Sequence, residues 1–276
     1  MVSSSPNGNF YVADFTNNRI RLLTRVLPPP LVSAGGVVSA SSFGEFPSAA
    51  PGSWIEIYGT NLAVDSRQWS GSDFTGVNAP TSLDGTSVSI GGKAAYVAFI
   101  NSGQVNVQVP PTVTPGTQQL TVTIGGGTSA AYNLTINPTE PGLDAPPAFK
   151  IGGTQYVVAI AADGSYVIPT GSITGVNSKP AKPGDTIVLY GVGFGPVTPA
   201  IPPGQIVQQL NQLTGNLSIS IGGVNAGVGY AGLAPNYVGL YQFNVVVPQV
   251  PSGNAVPVTF TLGGVAGSQT LYIAVQ

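Results

Sequence analysis

Apolar and polar positions alternate along most of the chain in short runs broken by Gly, Pro and Asn. A period of two with such punctuation predicts β-strands joined by tight turns. In residues 54–58 the alternation turns Ile55 and Ile57 towards a core and Trp54, Glu56 and Tyr58 away from it. In residues 104–109 it places Val105, Val107 and Val109 on one face and Gln104, Asn106 and Gln108 on the other. No segment carries a helical period, so the pattern predicts an all-β chain of antiparallel sandwiches.

The alternating segments also repeat. PGSWIEIYGTNL at 51–62 aligns with PGDTIVLYGVGF at 183–194, and SVSIGGKAAYVAF at 87–99 with SISIGGVNAGVGY at 218–230. GQVNVQVPP at 103–111 returns as YQFNVVVPQ at 241–249, and PGTQQLTVTIGG at 115–126 as PSGNAVPVTFTLGG at 251–264. Four matched segments in one order predict two tandem immunoglobulin-like β-sandwich domains of about seven strands each. The predicted organisation is a first domain over 31–138, a linker over 139–147 and a second domain over 148–276. Asp163-Gly164 lies between two apolar runs and marks a hairpin that packs on the second domain. Before all this, residues 1–30 predict a strand at 10–13, a turn at Asn17-Asn18, a strand at 19–23 and a stiff spacer at Pro28–Pro30.

Tyr11-Val12-Ala13-Asp14 followed by Asn18-Arg19-Ile20 resembles one unit of the NHL-type β-propeller repeat. Because one blade cannot close a propeller, that resemblance implies a fragment cut inside the last blade of a longer polypeptide, with an upstream propeller as partner. From about residue 33 to the end, the chain resembles tandem IPT/TIG-like immunoglobulin modules. More narrowly, it is similar to an uncharacterised C-terminal family on large secreted acidobacterial proteins. The resemblance rests on residues 35–43 (GGVVSASSF), on the Pro-Gly…Tyr-Gly elements at 51–59 and 183–191, on GFGPVTP at 193–199 and on residues 230–248. It implies a secreted or cell-surface setting and assigns no catalytic residue.

Composition narrows the chemistry. Only 7% of the 276 residues are charged and the net charge is −2, so no basic footprint for nucleic acid or anionic lipid is present. No apolar run reaches membrane-spanning length, so no membrane insertion is expected. With neither His nor Cys, a Ser-His-Asp or Cys-His nucleophile and a His or thiolate zinc site are excluded. The ten carboxylates make a calcium site unfavourable, and no cofactor or metal is expected. The Gly-rich stretches lack the lysine and the helix of a phosphate loop and are expected to be turns and bulges.

Three functions remain. The favoured expectation is a non-catalytic structural, spacer or adhesion module whose partners are polysaccharide or another protein domain. The alternative is a carbohydrate-binding module that uses Trp54, Glu56 and Tyr58, with Trp69, as an aromatic and carboxylate face. A third possibility, a glycoside or ester hydrolase, would need two carboxylates drawn from Glu56, Asp65, Asp73, Asp84, Asp163 and Asp185, most of which sit at turn positions. Within this scheme the amides of the repeated Gln-x-Asn strand are the wet side of a half-buried strand, and Tyr58 and Tyr190 are expected to tie their hydroxyls to backbone near a turn.

Overall fold

The computed structural model describes residues 2–4, 10–23, 27–41 and 46–276. Ser42 and Phe43 of the GGVVSASSF motif lie outside the described residues, as does most of the extreme N-terminus. Among the described residues the structure is built from β-strands, with single 3-10 turns at Gly71–Asp73 and Pro147–Phe149. No helix is long and apolar enough to cross a membrane.

The chain forms two tandem immunoglobulin-like sandwiches, each around its own core. In the first, one sheet runs Leu31–Ser39, Trp54–Thr60, Gln104–Gln108, Tyr96–Ile100 and Arg67–Gln68. The facing sheet runs Lys93–Ala94, Thr86–Ile90, Gly116–Ile124, Tyr132–Ile136 and Ser48–Ala49. Ile55, Ile57, Val105 and Val107 from one sheet meet Leu120, Val122, Leu134 and Ile136 from the other, all fully or almost fully buried. Period-two alternation thus delivers the inward residues that the sequence predicts.

The second sandwich repeats the pairing. Thr186–Val192, Tyr241–Val246 and Gly227–Leu233 correspond to Trp54–Thr60, Gln104–Gln108 and Tyr96–Ile100. Leu217–Ile221, Gly253–Leu262 and Leu271–Val275 form the facing sheet. Even a register shift is copied, between Val97 and Phe99 in one sandwich and between Val228 and Tyr230 in the other. Its core is more aromatic, with Phe194 packed 4.7 Å from Phe243 and 5.3 Å from Phe260, ring centroid to centroid.

The Tyr-Gly pair shared by both copies has a steric cause. A Cβ on Gly59 would lie 2.0 Å from the Leu31 carbonyl oxygen, and one on Gly191 2.5 Å from that of Gly142. Only glycine lets the edge strand come so close. Two residues later Asn61 and Gly193 take left-handed backbone at φ 54° and 79°, which turns Leu62 and Phe194 into the two cores.

The stretch predicted as a linker is ordered into the fold. Gly142–Leu143 pairs with Thr186–Val192, and the side-chain amide of Gln269 both donates to the Leu143 carbonyl and accepts from its N–H, at 2.8 and 2.7 Å. Ala159–Ala161 pairs with the same edge further along, opposite Ile187–Leu189. Together these two short strands do the work of the single strand Leu31–Ser39 in the first copy, with residues 144–158 looping out between them. The sequence hid this strand because its apolar alternation is interrupted by that insertion and by prolines. The Asp163-Gly164 turn closes as predicted, with Gly164 N–H donating to the Ala161 carbonyl at 2.9 Å, and Val157, Ala159 and Val167 around it join the second core.

At the N-terminus, Phe10–Asp14 pairs with Arg19–Leu23 across the predicted turn, and Val2–Ser4 adds a third strand. Arg21 holds Asp14 at 2.7 Å.

Candidate functional site

The repeated Gln-x-Asn strand lies in the middle of the outer face of each sandwich. In the first copy Asn106 stands opposite Glu56, and Gln104 opposite Tyr58. Gln104 Nε2 donates to Asn106 Oδ1 at 2.8 Å, Asn106 Nδ2 reaches Glu56 Oε1 at 3.5 Å, and the Tyr58 hydroxyl donates to Glu56 Oε2 at 2.5 Å. Glu56 is only 5% exposed, so it is not the solvent-facing acid that the alternation predicts. Burial pushes its carboxyl above the ordinary range, while the bonds from Tyr58 and Asn106 pull the other way. The same burial and the adjacent carboxylate raise the Tyr58 phenol well above its usual value. Tyr58 therefore ties its hydroxyl to a carboxylate rather than to backbone. Hydroxyls tied to backbone are found instead at Tyr156, which donates to the Asn254 carbonyl at 2.8 Å, at Tyr230, which donates to that of Leu233 at 2.7 Å, and at Tyr241, which donates to that of Gly195.

The second copy repeats the amide pair, with Gln242 Nε2 donating to Asn244 Oδ1 at 2.8 Å. Here Val188 takes the place of Glu56 opposite the asparagine, and Tyr190 stands opposite Gln242. A carboxylate comes instead from the neighbouring edge. Asp144 donates its backbone N–H to the Tyr190 carbonyl at 2.9 Å. Since Leu143 beside it points into the core, the Asp144 side chain lies on the outer face.

The two tryptophans meet at the end of the first sandwich nearest the second. Their ring centroids are 5.5 Å apart in an edge-to-face arrangement, and Trp69 continues to Phe74 at 4.9 Å. Trp54 is half-buried, and its indole N–H donates to the carbonyl of Val238 in the second sandwich at 2.8 Å. Of the four nominated residues, Trp54 and Trp69 touch each other and Glu56 and Tyr58 touch each other.

Gln108 is the member of the amide face that departs most from expectation. At 1% exposed it is buried, its Nε2 donating to the Gly52 carbonyl at 2.8 Å and its Oε1 accepting from Gly204 N–H of the second sandwich at 2.7 Å. Beside it, loop residues 77–79 and 204–206 bond like a fragment of sheet. Ala79 N–H donates to the Gly204 carbonyl at 2.7 Å and Ile206 N–H to that of Val77 at 2.9 Å. Ala145 N–H donates to the Ser41 carbonyl at 3.0 Å, which fastens the far side of the junction. Between these contacts lies an apolar cleft of about 240 Å³, walled by Pro51, Pro111, Pro196, Pro203 and Tyr241 with Gln108 at its edge.

Of the other nominated acids, Asp73, Asp84, Asp163 and Asp185 hold turns. Arg67 bridges Asp73 at 2.9 Å and Asp84 at 2.6 Å, and Asp84 occupies the left-handed position of its Asp-Gly turn at φ 46°. Lys179 pairs with Asp163, and Asp185 accepts from the Lys182 N–H at 2.8 Å. The cations beside Asp73 and Asp163 hold both carboxyls well below the usual range.

With this geometry in place, the chain can be set against known proteins. Residues 41–136 match the IPT/TIG domain family. The match lies within the first sandwich, beginning after its strand Leu31–Ser39, and the second sandwich follows the same strand order. No curated protein matches the chain. Among solved structures, SGBP-B from the mixed-linkage glucan utilization locus of Bacteroides ovatus, in complex with mixed-linkage heptasaccharide, is 11% identical over 97% of this chain and 52% of that chain, at a TM-score of 0.36. SGBP-B from a complex xyloglucan utilization locus in Bacteroides uniformis is 13% identical over 90% and 50%, at 0.25. Domains 5–6 of the S-layer protein SbsC are 14% identical over 89% and 98%, at 0.28. The chain thus spans about half the length of each SGBP-B protein.

Proposed function

We propose that the chain is a non-catalytic structural module of a secreted or cell-surface protein, in which an IPT/TIG module and its repeat act as one stiff spacer. The observation that carries this is the junction. Trp54, Gln108 and loop 77–79 of the first sandwich are hydrogen-bonded to Val238, Gly204 and Ile206 of the second. Two sandwiches joined by a loose linker could reorient, because such interfaces within a chain are ordinarily mobile. Here the connecting strand Gly142–Leu143 is itself part of the second sheet, which leaves little chain to act as a hinge. A face in which Trp54 has committed its indole N–H to Val238 is better suited to fixing an angle than to stacking on a sugar.

Differential scanning calorimetry of the whole chain tests this. Coupled sandwiches unfold in one transition whose calorimetric and van't Hoff enthalpies agree, and the double variant Trp54→Ala, Gln108→Ala splits it in two. Two resolved transitions in the unaltered protein would contradict the proposal. Turnover of a glycoside or ester substrate that disappears in Glu56→Gln or Asp185→Asn would replace it with the hydrolase alternative.

A further inference from the structure

We infer that the outer face of the second sandwich binds a neutral polyhydroxylated ligand of the saccharide class, between Tyr190, Gln242, Asn244 and Asp144. This goes beyond the spacer role and does not depend on it.

The inference follows from a difference between two copies of one scaffold. In the first copy, the donors Asn106 Nδ2 and Tyr58 OH converge on the Glu56 carboxylate, and the network is closed within the protein. In the second copy the amide pair has the same 2.8 Å bond and the tyrosine the same register, but the acceptor has been replaced by Val188. Among the described residues, the Tyr190 hydroxyl, Asn244 Nδ2, Gln242 Oε1 and the Asp144 carboxylate have no hydrogen-bond partner. Ser172 Oγ is the one buried side-chain polar atom there that lacks a partner, so these four groups still reach solvent. Half-buried polar groups held in place by a sheet, and left for something outside the chain to satisfy, make a binding site rather than a structural network.

Glu56 indicates what the missing occupant offers. An oxygen above Val188, in the position of that carboxylate, would accept from Asn244 and Tyr190. Asp144 lies beside Tyr190, and its carboxyl, which burial pushes up to about 7, accepts from a ligand hydroxyl and disfavours an anion when ionised and donates to a hydroxyl when protonated. Adjacent hydroxyls meet both demands, one accepting from the amide and phenol and the next donating to the carboxylate. Burial chiefly raises the Tyr190 phenol, and the neighbouring Tyr237 and Asp144 add to this; Tyr237 itself is 56% exposed. Its ring offers an apolar surface for sugar C–H groups.

The test is an NMR titration of the whole chain with cellohexaose, maltohexaose, xylohexaose and mannohexaose, read at the side-chain amides of Gln242 and Asn244. The expected result is a saturable shift with at least one of the four. Val188→Glu rebuilds the internal acceptor of the first copy and is expected to abolish the shift. Tyr190→Phe and Asn244→Ala are expected to weaken binding roughly tenfold each, the loss of one hydrogen bond to a ligand. No saturable shift with any of the four sugars would overturn the inference. So would shifts confined to Trp54 and Trp69, or binding that survives Val188→Glu, Tyr190→Phe and Asn244→Ala in folded protein.

Discussion

At the scale of single residues, the two copies differ most where the chain meets its own second half. Gln108 and Val246 occupy matching positions of the repeated strand, yet the glutamine is 1% exposed and the valine 39%. The amide is there because the second sandwich presents Gly204 to it. Gln108→Ala leaves the Gly204 N–H and the Gly52 carbonyl without their partner and is expected to cost about 1–3 kcal/mol, whereas Val246→Ala should cost under about 0.5 kcal/mol. Urea unfolding of the two variants checks the contrast, and equal losses would contradict it. Asp144 gives a second residue-scale prediction. Burial pushes its carboxyl up to about 7. The folded chain then binds this proton more tightly than the unfolded one, so its contribution to stability is complete below the ordinary carboxylate pKa and is lost as pH rises through about 7. Asp144→Asn should therefore melt higher than the unaltered protein at pH 8 and at about the same temperature at pH 4. A melting-temperature difference that does not change with pH would refute this.

At the scale of strands and turns, most of the fold was legible in the sequence. Ile55, Ile57, Val105 and Val107 are buried as the alternation requires, and the repeated Tyr-Gly pairs mark the same close approach of an edge strand in both sandwiches. Ala at Gly59 or Gly191 would force its Cβ against the Leu31 or Gly142 backbone. A loss of roughly 1–3 kcal/mol is expected from each, while Gly71→Ala, which meets nothing within 4 Å, should be close to neutral. Chemical denaturation measures this, and tolerance of Ala at Gly191 would show that the edge strand can move aside. Three things were not legible. The edge of the second sandwich is made of two pieces, 142–143 and 159–161, and an insertion between them breaks the period on which strand prediction relies. The burial of Glu56 was also hidden, because alternation assigns a side chain to a face without saying what covers that face. Asp144 escaped notice for a related reason. Its role depends on the cross-strand neighbour Tyr190, 46 positions along the chain.

At the scale of the whole molecule, the account rests on the junction. The sequence identified Trp54 by its type, and the structure gives it a partner 184 positions away. Gly239 lies under this contact at φ 64°, where a Cβ would fall 1.9 Å from Gln108 Nε2 and 2.9 Å from Trp54 Nε1. A single added methyl group there would push the Gln108 amide and the Trp54 indole off their partners across the junction. Because the chain contains no cysteine, spin labels can be placed without background. Labels on Gln119→Cys and Thr259→Cys, both exposed positions on strands of different sandwiches, report the angle between the two modules by double electron–electron resonance. One narrow distance distribution is predicted for the protein with its junction intact, and a broad one once Gly239→Ala is added. A distribution already broad with the junction intact would contradict the rigid spacer.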